Sequence, residues 1–389
     1  MEVNLQRIER LAEYVEKLAS EPGNLSNYQM VEQDILSVTP VEVFHLFYAR
    51  LTKGEKPKDV LTYLDKCIHV FYQSLRKFEK PMPEDSFLAH LQLENQAFSQ
   101  HLESIKPELA KKELNRSKLI ESFNRCNLFE DHYVKKENIL FPYLEKKQAQ
   151  YDGLSIMWSL HDVTRNYLKD IMLTLKADTF DRNKFNILVG KYFFAAYGLI
   201  QKEESILFPV ALHLLSSKEL EEMRAQSFEY MFAFIEEPKR KDVTTDTFKE
   251  KSENWVFQSE TGELTYNQLL MFLNALPVDC TVIDEHNKVR YFTRPKDRIF
   301  PRSPAIIGRD VRNCHPSDSV HMVDAIIEAF RNNEREVATF WIQMRGKKLL
   351  IQYFALRDEF GQYKGTVEVS QDITTIQSLE GERRLLEWE

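Results

Sequence analysis

Apolar residues recur every three or four positions through roughly the first 250 residues, and the period shortens afterwards. "TPVEVFHLFYARLTKGEKP" predicts a helix with Thr39 as N-cap, Pro40 in the first turn, Glu42 at the third position and Gly54 at the close. Leu61, Leu64, Ile68, Phe71 and Leu75 form the stripe of the next helix, so residues 1–80 read as a small helical domain stopped by "KPMP". Four longer helices follow near 84–110, 117–147, 154–177 and 184–214. Their short connections predict an antiparallel four-helix bundle over 81–235. "EEPKRKDVTTDTFKEKSEN", at 236–254, is polar and reads as a linker.

Beyond it, residues 255–389 predict an α+β domain. "DCTVIDEHNKVRYFT" is strand, turn, strand, and "SDSVHMVDAIIEAFRNN" is a helix. "EVATFWIQM", "KLLIQYFALRD" and "GTVEVSQDIT" are strands of an antiparallel sheet. The fold class is therefore multidomain, all-α and then α+β.

The stripes of the four bundle helices are interrupted by polar residues, which are costly in a core unless paired or bound. The first stripe is Phe87, Leu91, Phe98, Leu102 and Ile105, with Glu94 inside it and His90 one turn earlier. The second is Leu119, Phe123, Cys126, Tyr133, Leu140 and Leu144, with Glu137 inside it. The third is Met157, Leu168, Ile171 and Leu175, with His161 near its centre. The fourth is Val189, Phe193, Ala196, Ile200 and Leu207, with Glu203 inside it and Glu204 beside it. Acids and imidazoles brought inward from four helices suggest a metal site that suits iron or manganese. Their number suits two ions, roughly 3.5–4 Å apart if carboxylates bridge them.

His132 stands apart from that pattern. It precedes Glu137 by five residues, about 140° around a regular helix. Lys136, at the fourth position, is no ligand while protonated. Either only one of His132 and Glu137 binds metal, or a π-bulge lies between them. His69 beside Cys67 reads as structural, and His101 and His213 lie too far along their helices to share a metal layer. Tyr133 and Tyr197 read as hydrogen-bond donors near the site or as plain core.

"HYVKKENILFP", "HDVTR" and "KEESILFP" resemble the hemerythrin-like HHE cation-binding bundle over about residues 85–215. "KCIHVFYQSL" resembles a helical domain of unknown function that often precedes it. "IIGRDVRNCHPSDSVHMVDAI" and "EVSQDIT" resemble a PAS sensor domain. The HHE resemblance implies a non-haem di-iron centre, oxo- or hydroxo-bridged in some states. It carries over His90, His132 and His161 as histidine ligands and puts Glu137 and Glu204 in the acid place before the Leu-Phe-Pro. Glu94 comes from periodicity alone. On the fourth helix periodicity favours Glu203 and the motif Glu204. The chain departs from the family at Lys136, where a glutamate is usual, and at Leu199, near which a histidine is expected. Cys314 and His315 in "CHPSDS" invite a haem reading, but His-Pro-x-Asp before a helix is an ordinary cap, with Ser317 or Asp318 capping.

Composition narrows the function. The 389 residues carry a net charge of −8, which argues against a nucleic-acid partner. No apolar run approaches a membrane span, and the N-terminus is a charged amphipathic pattern, not a signal peptide. Cys67, Cys126, Cys280 and Cys314 are scattered, as reduced thiols of a cytoplasmic protein would be. No nucleophile-base pair or phosphate loop is evident. The expected function is a sensor of oxygen, peroxide or nitric oxide, signalling through the PAS domain to a partner protein or a second copy. The alternative is an enzyme-like role in peroxide removal or in iron homeostasis and repair. Signal exit is expected through the linker or through a C-terminal helix at 376–389, where Leu379, Leu385 and Leu386 would pack.

Overall fold

The computed structural model describes residues 1, 3–20, 25–240, 256–315, 319–344 and 346–382. They fall into two compact units that divide between Lys241 and Asp242.

The first unit is helical. Helices α1 (Leu5–Ser20), α2 (Leu25–Ile35), α3 (Pro40–Thr52) and α4 (Pro57–Leu75) precede the bundle. Thr39 caps α3 as its sequence predicts: its hydroxyl accepts from the Glu42 N–H, and Glu42 accepts from the Thr39 N–H at 2.8 Å. The bundle begins with α5 (Phe87–Leu109). Its second helix is broken into α6 (Arg116–Arg125), a 3-10 turn (Cys126–Phe129), α7 (Glu130–Lys135), a π turn (Lys136–Leu140) and α8 (Phe141–Glu145). The third is α9 (Ser155–Lys176). The fourth is α10 (Arg182–Lys202), which passes through a second π turn (Glu203–Leu207) into α11 (Phe208–Leu214). Helix α12 (Ser217–Ser227) closes the unit.

One hydrophobic core runs from Leu11 to Ala233 through all these helices. Residues before and after "KPMP" therefore share a core, and Lys202 of α10 pairs with Asp65 of α4. The apolar stripes read from the sequence supply much of it, Leu91, Phe98, Phe123, Leu140, Ile171 and Leu175 among them.

The second unit opens with the hairpin β1 (Val256–Ser259) and β2 (Gly262–Thr265), followed by α13 (Tyr266–Ala275). These three elements were not predicted. They carry apolar residues that the fold leaves at the surface, such as Phe257, Met271 and Phe272. Strands β3 (Asp279–Asp284), β4 (Val289–Phe292), β5 (Val337–Met344), β6 (Lys347–Arg357) and β7 (Tyr363–Asp372) form an antiparallel sheet in the order β4-β3-β7-β6-β5. Helix α14 (Val320–Arg331) buries Val323, Ile327 and Phe330. Gly365 joins β7 to Asp284 of β3 with φ at +148°, and a Cβ there would lie 2.1 Å from the Ile283 carbonyl oxygen. Only glycine meets that approach.

Residues 241–254 of the expected linker lie outside the described residues, as do Ser317, Asp318, Leu385 and Leu386. Within the C-terminal segment expected to be helical, Ile376–Ser378 forms a single 3-10 turn, and Leu379 is extended and exposed. Polar Ser378 and glycine at 381 give the described part of this stretch, up to residue 382, little apolar face to bury, and the rest of it lies outside the described residues.

Candidate functional site

Six of the seven predicted site residues separate into three groups, and one group is a buried ionic centre. His132, Lys135 and Lys136 lie at i, i+3 and i+4 on one helix, so all three side chains face the bundle axis. His132 bridges two acids from other helices: Nδ1 is 2.8 Å from Glu94 Oε2 and Nε2 is 3.0 Å from Glu203 Oε2. Lys135 pairs with Glu94 Oε1, and Lys136 pairs with Glu203 Oε1. The amide of Asn95 donates to Glu203 at 3.0 Å, and the Ala233 N–H donates to Glu94 at 2.8 Å. Glu94, His132, Lys136 and Glu203 are 0% exposed and Lys135 is 1% exposed.

Aromatic rings wall this centre. Phe129 stacks on His132 with centroids 4.3 Å apart, and Phe98 stacks on Phe129 at 3.9 Å. The Lys135 ammonium lies 4.4 Å from the Phe232 ring centre and that of Lys136 lies 5.0 Å from Tyr133. Burial by itself would raise both acids. The Lys136 and His132 charges outweigh it at Glu203, which is held below the usual carboxylate range, and His132 with Lys135 does the same at Glu94. Burial lowers both lysines, and their paired glutamates partly restore them.

The second group is Glu137 and His161. His161 Nδ1 is 2.7 Å from Glu137 Oε1, and Arg165 of α9 holds Glu137 at 3.0 and 3.2 Å while also binding Glu130. Burial holds His161 well below its ordinary pKa, with Lys136 and Arg165 adding to the effect, so the ring is neutral. The third group is His90, whose Nε2 is 3.1 Å from Asp85, itself fixed by Arg224 at 2.9 Å. Glu204 belongs to none of these: it is half-buried, and burial with the Glu203 charge pushes its pKa up to about 7. On the fourth helix the periodic position, Glu203, is the one that meets His132.

The irregularity foreseen around His132 and Glu137 is a π turn beginning at Lys136. It does not bring them to one point, because His132 faces Glu94 and Glu203 while Glu137 faces His161. Its counterpart at Glu203–Leu207 gives both Ile-Leu-Phe-Pro repeats the same break. His69 lies on α4 in a surface cleft with Tyr197 and Gln201. His101 Nε2 donates to the Ser122 carbonyl at 3.0 Å, and His213 meets the chain's amino terminus. Tyr133 is core, stacked on His161, and Tyr197 reaches Glu103.

Sequence reasoning missed the two lysines. Their spacing from His132 was the available signal: two residues that share its inward face are buried with it.

In the second unit a small cavity lies between the sheet and α14, lined by Thr281, Ile283, Val323, Tyr353, Thr366 and Glu368. His315 is close enough to Glu368 and Arg302 to feel both charges, though burial is the larger influence and lowers its pKa.

The profile of the hemerythrin HHE cation-binding domain matches residues 86–211, and that of a PAS domain matches 269–374. The chain carries a hemerythrin HHE domain and a PAS domain. These two modules together fit a metal-binding sensor protein. No curated protein matches. Among solved structures, the C-terminal domain of a Streptococcus mutans protein is 29% identical, covering 32% of this chain and 98% of its own, with a TM-score of 0.31. A PAS domain from Colwellia psychrerythraea is 18% identical over 28% of this chain and 97% of its own, at 0.23. The PAS domain of BvgS from Bordetella pertussis is 15% identical over 27% and 84%, at 0.23. No described helix of the chain is long and apolar enough to cross a membrane.

The donor set of this HHE domain does not fit two iron ions as arranged. Each carboxylate nearest His132 is already neutralised by an ammonium group. Among the described residues no three His, Cys, Asp or Glu side chains are grouped to hold a metal.

Proposed function

We propose that the chain is a sensory regulator in which the PAS domain receives a small ligand and passes the change to a second copy of the chain. The observation that carries this reading is the cavity under α14. Its wall is apolar at Ile283, Val323 and Ile327, and polar at Thr281, Tyr353, Thr366 and Glu368. The cavity has only about 20 Å³ of free space, so a ligand with an apolar body and a hydrogen-bond donor for Glu368 enters by displacing α14 from the sheet, the movement that carries the signal. The edge strand β5 turns Phe340 to the helix-covered face of the sheet and Trp341 to the other face, where the exposed Trp341 supplies an apolar contact for the second copy.

Ligand-observed NMR with small amphipathic amines and amides, on wild type and on Val323→Phe, tests the reading. Binding that the filled cavity abolishes supports it. No binding by wild type, or equal binding by both, removes it.

A second reading keeps the HHE domain as the input, a di-iron sensor of oxygen, peroxide or nitric oxide or a peroxide-consuming centre. Two imidazoles favour it. His90 and His161 each place one ring nitrogen on a carboxylate, and the other, Nδ1 of His90 and Nε2 of His161, is buried without a hydrogen-bond partner. A carboxylate behind an imidazole is how metal-binding histidines are oriented. Iron content of the chain purified anaerobically from iron-replete cells decides between the readings for this domain.

A further inference from the structure

We infer that Lys135 and Lys136 are the HHE domain's built-in cations: their two ammonium groups neutralise Glu94 and Glu203, so that the bundle folds without metal.

The two lysines are matched to the two acids in place. Two acids from different helices enter the core, Glu94 from α5 and Glu203 from the second π turn, and two lysines adjacent in sequence meet them one to one. All four side chains are at most 1% exposed. A buried carboxylate or ammonium left unpaired is strongly disfavoured, so each of the four needs its partner for the fold to persist. His132 ties the two pairs into one network by reaching both acids. Asn95 and the Ala233 N–H complete the carboxylates' hydrogen bonds.

The rings of Phe232 and Tyr133 offer each ammonium a π face. A divalent ion approaching Glu94 or Glu203 must therefore expel a lysine already held by a carboxylate and an aromatic ring. The inference is independent of what the PAS cavity binds.

The test uses the full chain. Wild type is purified anaerobically from metal-replete cells, its metal content is measured, and it is melted with and without EDTA. Lys136→Met keeps the side chain's bulk and removes its charge. Manganese(II) binding and melting are then compared between this variant and wild type. Wild type is expected to hold only trace metal and to melt at the same temperature with chelator. Lys136→Met is expected to melt lower, to bind manganese(II) roughly tenfold tighter or more, and to regain melting temperature on binding it. If Lys136→Met does not fold, the pair Lys136→Met with Glu203→Gln removes both charges and is expected to fold metal-free. Stoichiometric metal in wild type with a lower melting temperature after chelation overturns the inference and leaves the di-iron reading standing. Unchanged metal affinity and stability in a folded Lys136→Met also overturns it. Should neither variant fold, the wild-type metal content and chelator melt decide alone.

Discussion

Tyr133 and His161 stack face to face, their ring centroids 4.6 Å apart and their planes inclined by 19°. They come from the second and third bundle helices, and the stack joins the ionic centre to the Glu137–Arg165 group. Tyr133→Ala is expected to destabilise the helical unit by about 3–5 kcal/mol, the usual cost of removing a buried ring. Urea denaturation followed by far-UV circular dichroism measures it. A loss under about 1 kcal/mol would show that the ring is dispensable.

Arg165 holds both Glu137 and Glu130. Arg165→Met takes the guanidinium away from a nearly buried carboxylate. The expected loss is about 2 kcal/mol or more. Adding Glu137→Gln to that variant should recover part of it, because the stranded charge is removed with its partner. A double-mutant cycle on denaturation midpoints reads the coupling, and strict additivity would refute it.

Glu204 gives the helical unit a pH dependence of its own. Its folded pKa is raised from 4.5 to about 7, by burial first and by the Glu203 charge second. The folded chain thus binds a proton more tightly than the unfolded chain. The associated stability is full below about pH 4.5 and is lost as pH rises through about 7. Glu204→Gln is expected to flatten the decline between those two values and to melt higher than wild type at pH 8. Parallel melting-temperature profiles for the two proteins would contradict this.

Gly365→Ala should damage the PAS domain while sparing the helical unit. The added Cβ meets the Ile283 carbonyl, and the positive φ adds strain, so the cost should exceed about 1 kcal/mol. Hydrogen exchange followed by mass spectrometry should show lost protection in β3 and β7 and unchanged protection in α5 and α9. Loss spread evenly over both units would tell against a local defect.

Much of the bundle is legible in the sequence because long helices write their buried side repeatedly. Phe87, Leu91, Phe98 and Leu102 each report the same face. A stripe says that a residue is buried and not against what, which is why the core shared across "KPMP" could not be read from it. The convergence of Glu94, His132 and Glu203 was readable from period and motif. The lysines share that face by spacing, but the rule that ammonium groups stay outside speaks against burying them and fails where two acids wait inside. The hairpin β1–β2 and α13 escaped notice for the opposite reason. Their apolar residues lie on the surface and so follow no burial rhythm.

The paired π turns have a mechanical corollary. Each winds about one residue more into its turn than an α-helix does, so everything beyond it is rotated by about 100° from where regular winding would leave it. Phe141 and Phe208, first residues after the two turns, are both 0% exposed in that rotated setting. Winding either turn as regular α-helix with all its residues kept would swing its phenylalanine out of the core, whereas deleting one residue together with the turn would leave it in place. Each π turn therefore acts as a spacer that takes up one extra residue, so that the segments on its two sides keep the register of an uninterrupted helix.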